Sequence, residues 1–287
     1  MNFSEIHIRD PFVLAEDGKY YMYGTRGSEC WDIAYGLDLY VSDDLENWTE
    51  YKDVFKKPEG FWADRHFWAP EVHKYEGSYY MFVSFKAEGV HRGTQILKSD
   101  SPMGPFKVYS DGPVTPRDWE CLDGTLWVDD GTPYIIFCHE WSQITEGEMC
   151  ALELSKDLKC AVGEPKLLFT ATALKCVKEV RSSKGWTGYV TDGPFIYKAQ
   201  NGRLVMIWST FSKDGYCEAF AYSDSGKIFG EWVVDERLLF EKDGGHGMIF
   251  KDFEGKMRFI AHSPNETPLE RPKMWELYEK DNALYLK

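Results

Sequence analysis

The sequence lacks several features that would point to particular classes of protein. Its seven cysteines are an odd number, with neither a CxxC pair nor a spacing typical of zinc ligands, so neither a disulfide framework nor a zinc knuckle is predicted. No run approaches the roughly 20 apolar residues that a membrane-spanning helix needs. The stretch MNFSEIHIRDPF has no basic head followed by an apolar segment, so no secretory signal is predicted. We therefore expect a cytoplasmic protein with reduced thiols.

Positive charge is also scarce. The 33 Lys and Arg residues face 47 Asp and Glu residues, which gives a formal net charge of -14. Nucleic acids and anionic membranes bind basic patches, so we expect neither as a partner, and a neutral substrate fits better. The hydrophobic content of 43% and the aromatic content of 16% are ample for a large core. The oligomeric state is left open.

What the chain does contain is a repeated unit. Each copy has a polar residue at its head, a short apolar strand, a glycine-containing turn and a second apolar strand, as in FVLAEDGKYYMYG after Asp10. The five heads are Asp10, Glu71, Asp123, Asp192 and His246, and the five turn glycines are Gly18, Gly77, Gly131, Gly202 and Gly255. The short runs with glycine or proline between them exclude a helical fold and predict β-hairpins.

A second strand-turn-strand unit follows each hairpin, for example LYVSDDLENW and FAYSDSGKIFGEW. Two hairpins give four antiparallel strands per repeat. Subtracting the head numbers gives intervals of 61, 52, 69 and 54 residues, which is the size of a propeller blade. The sequence therefore predicts an all-β fold, a five-bladed β-propeller with four antiparallel strands per blade, as a single domain over residues 1–287.

The first strand of each blade lines the channel of a propeller, so the heads are expected to converge. A single Asp beside Gly or Pro is commonly a turn residue. Three carboxylates around one axis, those of Asp10, Asp123 and Asp192, repel one another unless one is protonated, which favours a functional role. Glu71 shares the position but could equally support its blade. Arg9 faces the other side of its strand and is expected to form an ion pair between blades.

Two or three carboxylates beside aromatic side chains, without a nucleophilic Ser or Cys signature or a phosphate loop, are typical of glycoside hydrolysis. One carboxylate activates water, and a protonated one releases the leaving group. Trp68 and Trp141 are candidates for the flat faces on which a sugar lies, with blade packing as the alternative for each. Phe12 and Glu140 are further candidates for substrate contact, and Trp31 is another aromatic candidate.

Five motifs, in order over nearly the whole chain, resemble glycoside hydrolase family 43: RDPFVL, WAPEV, LDGTLWVDDGTPY, DGPFIYK and GGHGMIF. The resemblance implies an inverting mechanism. In it Asp10 is the general base, Asp123 orients the acid and raises its pKa, and Asp192 is the general acid. It also implies that His246 helps to hold a calcium ion or its water shell near the axis. This ion would be structural or electrostatic, and the reaction requires no cofactor.

One residue departs from the family pattern. The family usually has Glu where this chain has Asp192, and Asp is shorter by one methylene, about 1.5 Å of reach. Glu140 and Glu218 are therefore alternative candidates for the acid.

The resemblance implies a hydrolase that releases α-L-arabinofuranosyl or β-D-xylosyl units from plant polysaccharides or oligosaccharides. Attack at chain ends is expected, because the insertions at residues 24–37 and 171–188 would wall one end of the funnel. A related glycosidase acting on galactosides and a carbohydrate-binding propeller without turnover are the alternatives. A scaffold of the WD40 kind is disfavoured, because no Trp-Asp ending recurs.

Overall fold

Each of the five sequence repeats folds into one antiparallel sheet of four strands. The computed structural model describes residues 1–183 and 185–287, and in every sheet the strands lie side by side in chain order. The first strands contact one another around a closed circuit, in which the first strand of the fifth sheet also contacts that of the first. The fold is therefore the predicted five-bladed β-propeller, with the first strand of each blade at the centre.

The blades follow one another along the chain. Blade 1 consists of β1 (Ile8–Glu16), β2 (Lys19–Arg26), β3 (Gly36–Ser42) and β4 (Thr49–Lys56). Blade 2 consists of β5 (Arg65–Tyr75), β6 (Ser78–Ala87), β7 (Val90–Ser99) and β8 (Lys107–Val108). Blade 3 consists of β9 (Cys121–Asp129), β10 (Thr132–His139), β11 (Glu148–Leu154) and β12 (Ala161–Thr170), with helix α1 (Trp141–Ile144) between β10 and β11.

A small hairpin of β13 (Val180–Arg181) and β14 (Thr187–Gly188) precedes the fourth blade. Blade 4 consists of β15 (Asp192–Lys198), β16 (Leu204–Ser212), β17 (Gly215–Ser223) and β18 (Val233–Phe240). Blade 5 consists of β19 (Gly245–Lys251), β20 (Met257–Ser263), β21 (Arg271–Lys280) and β22 (Ala283–Leu286). Short 3₁₀ turns lie at Phe3–Glu5, Gly27–Glu29 and Ala171–Ala173.

The turn chemistry explains where the first two strands of each blade end. In blades 1 and 3 the turn residues Asp17–Gly18 and Asp130–Gly131 both have positive φ, as in the two-residue hairpin turns that match the twist of paired strands. All five predicted turn glycines lie between the first and second strands of their blades, and all have positive φ. The hairpins predicted from the sequence are thus confirmed.

A bulge interrupts the first strand of every blade. The pairing register shifts there, and a residue at the bulge has a left-handed backbone, a conformation that is uncommon outside glycine and typical of functional sites. These residues are Asp10 (φ 53°), Ala69 (φ 47°), Asp123 (φ 57°), Gly193 (φ 51°) and His246 (φ 50°). Blade 2 has a second such residue, His66 (φ 53°), earlier in its first strand. Two of the five predicted heads, Glu71 and Asp192, therefore do not occupy the same structural position as the other three. Glu71 lies two residues after the bulge of blade 2, and Asp192 lies one residue before that of blade 4.

Side chains packed between neighbouring blades form the core. The ring centroid of Phe55 in blade 1 lies 5.9 Å from that of Phe85 in blade 2, and Phe67 lies 4.7 Å from Phe85. All seven cysteines are free, with Cys160 and Cys176 exposed. None of the helices in the described part of the chain has the length and hydropathy that crossing a membrane requires. The cytoplasmic location stays a prediction.

The ring closes between blades 5 and 1. In the described part of the chain, no strand from one end of the sequence completes the sheet formed by the other end. Arg9 donates to the carboxylate of Glu270 at 2.6 Å, and the Glu270 side chain is fully buried. Arg271 donates to the Ser4 carbonyl at 3.0 Å across the same joint. The expected ion pair of Arg9 is thus present, and we call the joint between blades 5 and 1 the seam.

We predict that Glu270→Gln destabilises the protein by about 3 kcal/mol, because it removes the carboxylate that forms the buried ion pair with Arg9. Urea unfolding at pH 7 measures the change. The control is Glu254→Gln, which breaks the exposed pair with Lys256 and is expected to cost about 0.5 kcal/mol or less. Equal midpoints for the two variants would contradict the importance of this pair for the seam.

Candidate active site

A cavity of about 740 Å³ lies where the first strands of the blades converge. Asp10, Asp123 and Asp192 all line it, although they belong to three different blades. His246 lies among them, with Nδ1 3.3 Å from Asp10 Oδ1 and 3.6 Å from Asp123 Oδ2. The structure therefore brings the three carboxylates together at one end of the channel.

Asp10 lies in an environment that favours its ionised form. The Thr25 hydroxyl donates to Asp10 Oδ2 at 2.5 Å, and Arg9 is its neighbour in the chain. Burial opposes ionisation, but the charges of His246 and Arg9 and the Thr25 hydrogen bond lower the pKa of Asp10 below its usual 3.8. Asp10 is thus a carboxylate at neutral pH.

The backbone of Asp10 is held by a neutral histidine. Its N–H donates to His262 Nδ1 at 3.2 Å, and burial together with the charge of Arg9 lowers the pKa of His262 to about 4. The His262 ring therefore accepts at Nδ1, and its Nε2–H donates to Asn265 Oδ1 at 3.1 Å. This tautomer joins blade 5 to the bulge of blade 1.

Asp123 is bound to the backbone beside Asp192. The Gly193 N–H donates to Asp123 Oδ2 at 3.0 Å, while the N–H of Asp123 itself donates to Ser84 Oγ at 2.9 Å. Burial and the charge of Asp10 raise the pKa of Asp123 well above its usual value, against the Gly193 bond and the charge of Arg92.

Asp192 has a pKa at which it can both carry and release a proton near neutral pH. Burial, and then the charge of Asp123, raise its pKa to about 7, and the hydroxyl of Tyr216 opposes the shift by donating to Asp192 Oδ2 at 2.9 Å. A carboxyl with a pKa close to the working pH can both hold and transfer a proton. Asp192 and Asp10 therefore have opposite protonation preferences within one cavity.

The two alternative acids are placed less well. Glu140 lines the cavity but forms an ion pair with Arg92, at 2.5 Å. Glu218 is fully buried and is not among the described residues that line the cavity. It accepts from Ser209 Oγ at 2.8 Å and from the Gly247 N–H at 3.2 Å, and burial raises its pKa to about 8.

Indole rings form one wall of the cavity. Trp68, Trp141 and Trp31 all line it. Trp68 is fixed because its ring stacks on His66 at 4.0 Å and its Nε1–H donates to the Cys30 carbonyl at 2.6 Å. The Trp31 ring meets Trp68 edge-on at 5.2 Å and is 58% exposed. Such rings offer the flat apolar faces that carbohydrate binding requires.

Both predicted insertions reach the cavity. Residues 30 and 31 of the segment 24–37 line it, and so do residues 178–181 of the segment 171–188. Lys184, within the second segment, lies outside the described residues. The hairpin of β13 and β14 belongs to this wall, where Gly188 leaves no room for a Cβ beside the Trp141 ring.

Phe12 does not lie where a substrate contact was predicted. Its ring is 5% exposed and packs against His73 at 5.1 Å and Phe195 at 6.4 Å, inside the core. The bulge at Asp10 changes which face of the strand the following residues present, so simple alternation fails there. Glu71 binds His73 Nε2 at 3.1 Å, in keeping with the alternative that it supports its blade.

Several lining residues were missed by the sequence reasoning. Tyr216 begins the third strand of blade 4, and Asn265 and Thr267 lie in the loop before β21. None of them occupies a repeated position, so the repeat gives no signal for them. Arg9 also lines the cavity, in addition to its ion pair with Glu270.

The residues around His246 do not form a cage of protein donors for a metal ion. Among residues 1–183 and 185–287, no three His, Cys, Asp or Glu side chains are grouped so that they could hold one. The calcium ion implied for the channel stays a prediction, and no chemical step below runs through it.

Comparison with known proteins agrees with this geometry. Residues 3–277 match the model of the glycosyl hydrolases family 43. The chain belongs to this family. Family 43 membership makes it a glycoside hydrolase, as the sequence motifs predict. It therefore disfavours the two non-catalytic alternatives, a carbohydrate-binding propeller and a scaffold of the WD40 kind.

Three family 43 relatives are informative. The crystal structure of an endo-arabinase from Bacteroides thetaiotaomicron superposes with a TM-score of 0.91 and 41% identity, covering 98% of both chains. A xylosidase/arabinosidase from Bacteroides ovatus is 28% identical over 97% of this chain and 94% of its own. An extracellular endo-α-(1→5)-L-arabinanase from Bacillus subtilis is 27% identical over 48% of this chain. The matched part spans 45% of that relative's own length.

We predict that Asp192 titrates near pH 7 in the folded protein, and that Tyr216→Phe raises this pKa, because the variant removes a donor that favours the ionised carboxylate. Carbon-13 NMR of aspartate carboxyl groups follows the titration, and Asp192→Asn assigns the signal. The control is Tyr197→Phe, which removes a phenol bound to Glu279 instead. A fall in the pKa in Tyr216→Phe would contradict the assigned hydrogen bond.

Proposed function

We propose that this family 43 protein hydrolyses α-L-arabinofuranosyl linkages of arabinan with inversion of configuration. The observation that carries the proposal is the convergence of Asp10, Asp123 and Asp192 on one cavity, with opposite protonation preferences for Asp10 and Asp192. Inverting hydrolysis needs a base and an acid of this kind on opposite sides of the scissile bond.

In the proposed mechanism Asp10 removes a proton from the attacking water. Its carboxylate is held by Thr25 and its backbone by His262, so it is fixed before substrate binds. Asp192 gives its proton to the leaving oxygen as the glycosidic bond breaks. Burial, and then the neighbouring carboxyl group of Asp123, raise the pKa of Asp192 and so keep that proton on it until the leaving oxygen takes it.

The substrate class rests on the relatives together with the cavity. The relative that matches the whole chain at 41% identity is titled an endo-arabinase, and the relative from Bacteroides ovatus is described as a xylosidase/arabinosidase. The indole wall of Trp31 and Trp68 suits a neutral sugar chain. β-D-xylosyl linkages are therefore the second candidate.

The cavity walls and the similar solved structure favour different modes of attack on the polysaccharide chain. The walls formed by residues 30, 31 and 178–181 favour attack at chain ends, which stays a prediction. The 41% identical endo-arabinase favours attack within the chain. Linear arabinan separates the two, because attack at ends releases one short product from the start, whereas internal attack first gives a ladder of oligosaccharides.

We predict turnover of aryl α-L-arabinofuranosides and of arabino-oligosaccharides, with less turnover of aryl β-D-xylosides and aryl galactosides. Proton NMR of the first-formed sugar should show the inverted anomer, since water attacks opposite the leaving group. A retained anomer would contradict the assigned role of Asp10, and activity on galactosides alone would contradict the substrate class.

We predict that Asp10→Asn abolishes measurable turnover, with a loss of at least about 100-fold, because it removes the general base and almost no volume. Calorimetry should still detect binding of arabino-oligosaccharide. The matched control is Asp252→Asn, another buried Asp, bound to Arg258 far along blade 5, which should keep its rate. Wild-type turnover in Asp10→Asn would exclude Asp10 as the base.

A further inference from the structure

A repeated hydrogen bond between blades supports four of the five bulges. In each of these four the N–H of the left-handed residue donates to a side chain on the second strand of the preceding blade. Ala69 donates to Thr25 at 2.8 Å, Asp123 to Ser84 at 2.9 Å, His246 to Ser209 at 2.6 Å and Asp10 to His262 at 3.2 Å. All four acceptors are buried.

The acceptors occupy one structural position. Each is paired across its sheet with the residue just before the bulge of its own blade, as Thr25 is with Arg9 and His262 is with Gly245. In blade 3 this position is Cys138, which is paired with Leu122 and is fully buried. The position that would serve Gly193 therefore holds a thiol.

A thiol is a poor substitute for a hydroxyl at this position. Neutral sulfur is a weak acceptor, and burial raises the pKa of Cys138 so that it stays neutral. The Gly193 N–H accordingly donates to Asp123 Oδ2 at 3.0 Å, making Gly193 the exception among the five bulges. The backbone of Gly193 also lies close to His246, because a Cβ on Gly193 would lie 2.7 Å from the His246 ring.

We propose that Cys138 is a positioning residue: by offering no acceptor, it leaves the Gly193 N–H to bind Asp123 and so holds the backbone that carries Asp192 against Asp123. The effect of this hydrogen bond on catalysis rests on the proposed function. The hydrogen bond itself does not. Asp192 precedes Gly193 directly, so the bond fixes where the short side chain of the acid begins.

Blade 1 shows what a hydroxyl would do at this position. Thr25 accepts the N–H of Ala69 and donates its own hydrogen to Asp10, so the bulge of blade 2 reaches that carboxylate only through the hydroxyl. In Cys138→Ser the new hydroxyl would accept the hydrogen bond of the Gly193 N–H and donate its own hydrogen to Asp123, as Thr25 does between Ala69 and Asp10. The Gly193 N–H would then reach Asp123 only through the serine hydroxyl. The backbone that carries Asp192 would be held less closely to Asp123, and the proton of Asp192 would be positioned less precisely toward the leaving oxygen.

The first measurement needs no enzymatic activity. In protein labelled with nitrogen-15 glycine, the Gly193 amide signal should lie downfield because it donates to a carboxylate. It should keep this shift in Cys138→Ala, which has no acceptor, and lose it in Cys138→Ser. Cys138→Thr, which reproduces the residue of blade 1, serves if the Ser variant does not fold. An unchanged Gly193 signal in a folded Ser or Thr variant would overturn the proposal.

The second measurement is the dependence of kcat on the leaving group. Cys138→Ser should lose at least about 10-fold on arabino-oligosaccharides, whose leaving groups need a proton, and much less on activated aryl arabinofuranosides, because general acid catalysis contributes about 100-fold or more. Asp192→Asn should show the same pattern more strongly. Cys138→Ala should keep the leaving-group dependence of the wild type.

Matched controls separate positioning from packing. Cys150→Ser buries a hydroxyl in the same sheet, away from Gly193, and should leave the leaving-group dependence unchanged. If Cys138 only fills space, the smaller Ala would be the more harmful variant, and that order would overturn the proposal. Absence of all turnover in the wild type would refute the proposed function alone, since the Gly193 signal still tests the hydrogen bond.

Discussion

A left-handed bend in the first strand of every blade is the constraint on which the site depends. An L-residue in this conformation is strained, so each bend must be held by its surroundings, and in four blades a buried side chain of the preceding blade accepts its N–H. The bend turns the side chain at that point toward the axis. Carboxylates on blades 1 and 3 consequently meet one imidazole, although more than 100 residues separate them in the chain.

The electrostatics follow from that convergence. Three largely enclosed carboxyl groups around one cavity are not all ionised, so the surroundings decide which of them keeps a proton. Asp10 has the cationic and hydroxyl neighbours, Arg9 and Thr25 among them, whereas burial and the neighbouring Asp123 outweigh the phenol of Tyr216 at Asp192. The difference between the proposed base and the proposed acid thus lies in their neighbours, since all three groups are aspartic acid side chains.

Much of the fold could be predicted from the sequence, because the repeat and its turn glycines are local signals. Asp10 and Asp123 were found for the same reason: each stands at the bend of its repeat. The bends themselves leave little local trace, since Ala69 and Gly193 occupy them as readily as Asp. This is why Glu71 was misaligned, why Phe12 was assigned to the wrong face, and why the pairing of Gly193 with Asp123 needed the structure. Residues such as Tyr216 reach the cavity from outer strands and loops, where the repeat carries no information.

The seam gives the enzyme one joint unlike the other four. Consecutive blades are linked by the polypeptide everywhere except between blades 5 and 1. There the connection comes from polar contacts such as Arg9 with Glu270, and from an apolar cluster that contains Phe250 and Tyr20. Asp10, the proposed general base, stands directly on this joint, so any loosening of the contacts between blades 5 and 1 removes the His262 bond that holds its backbone.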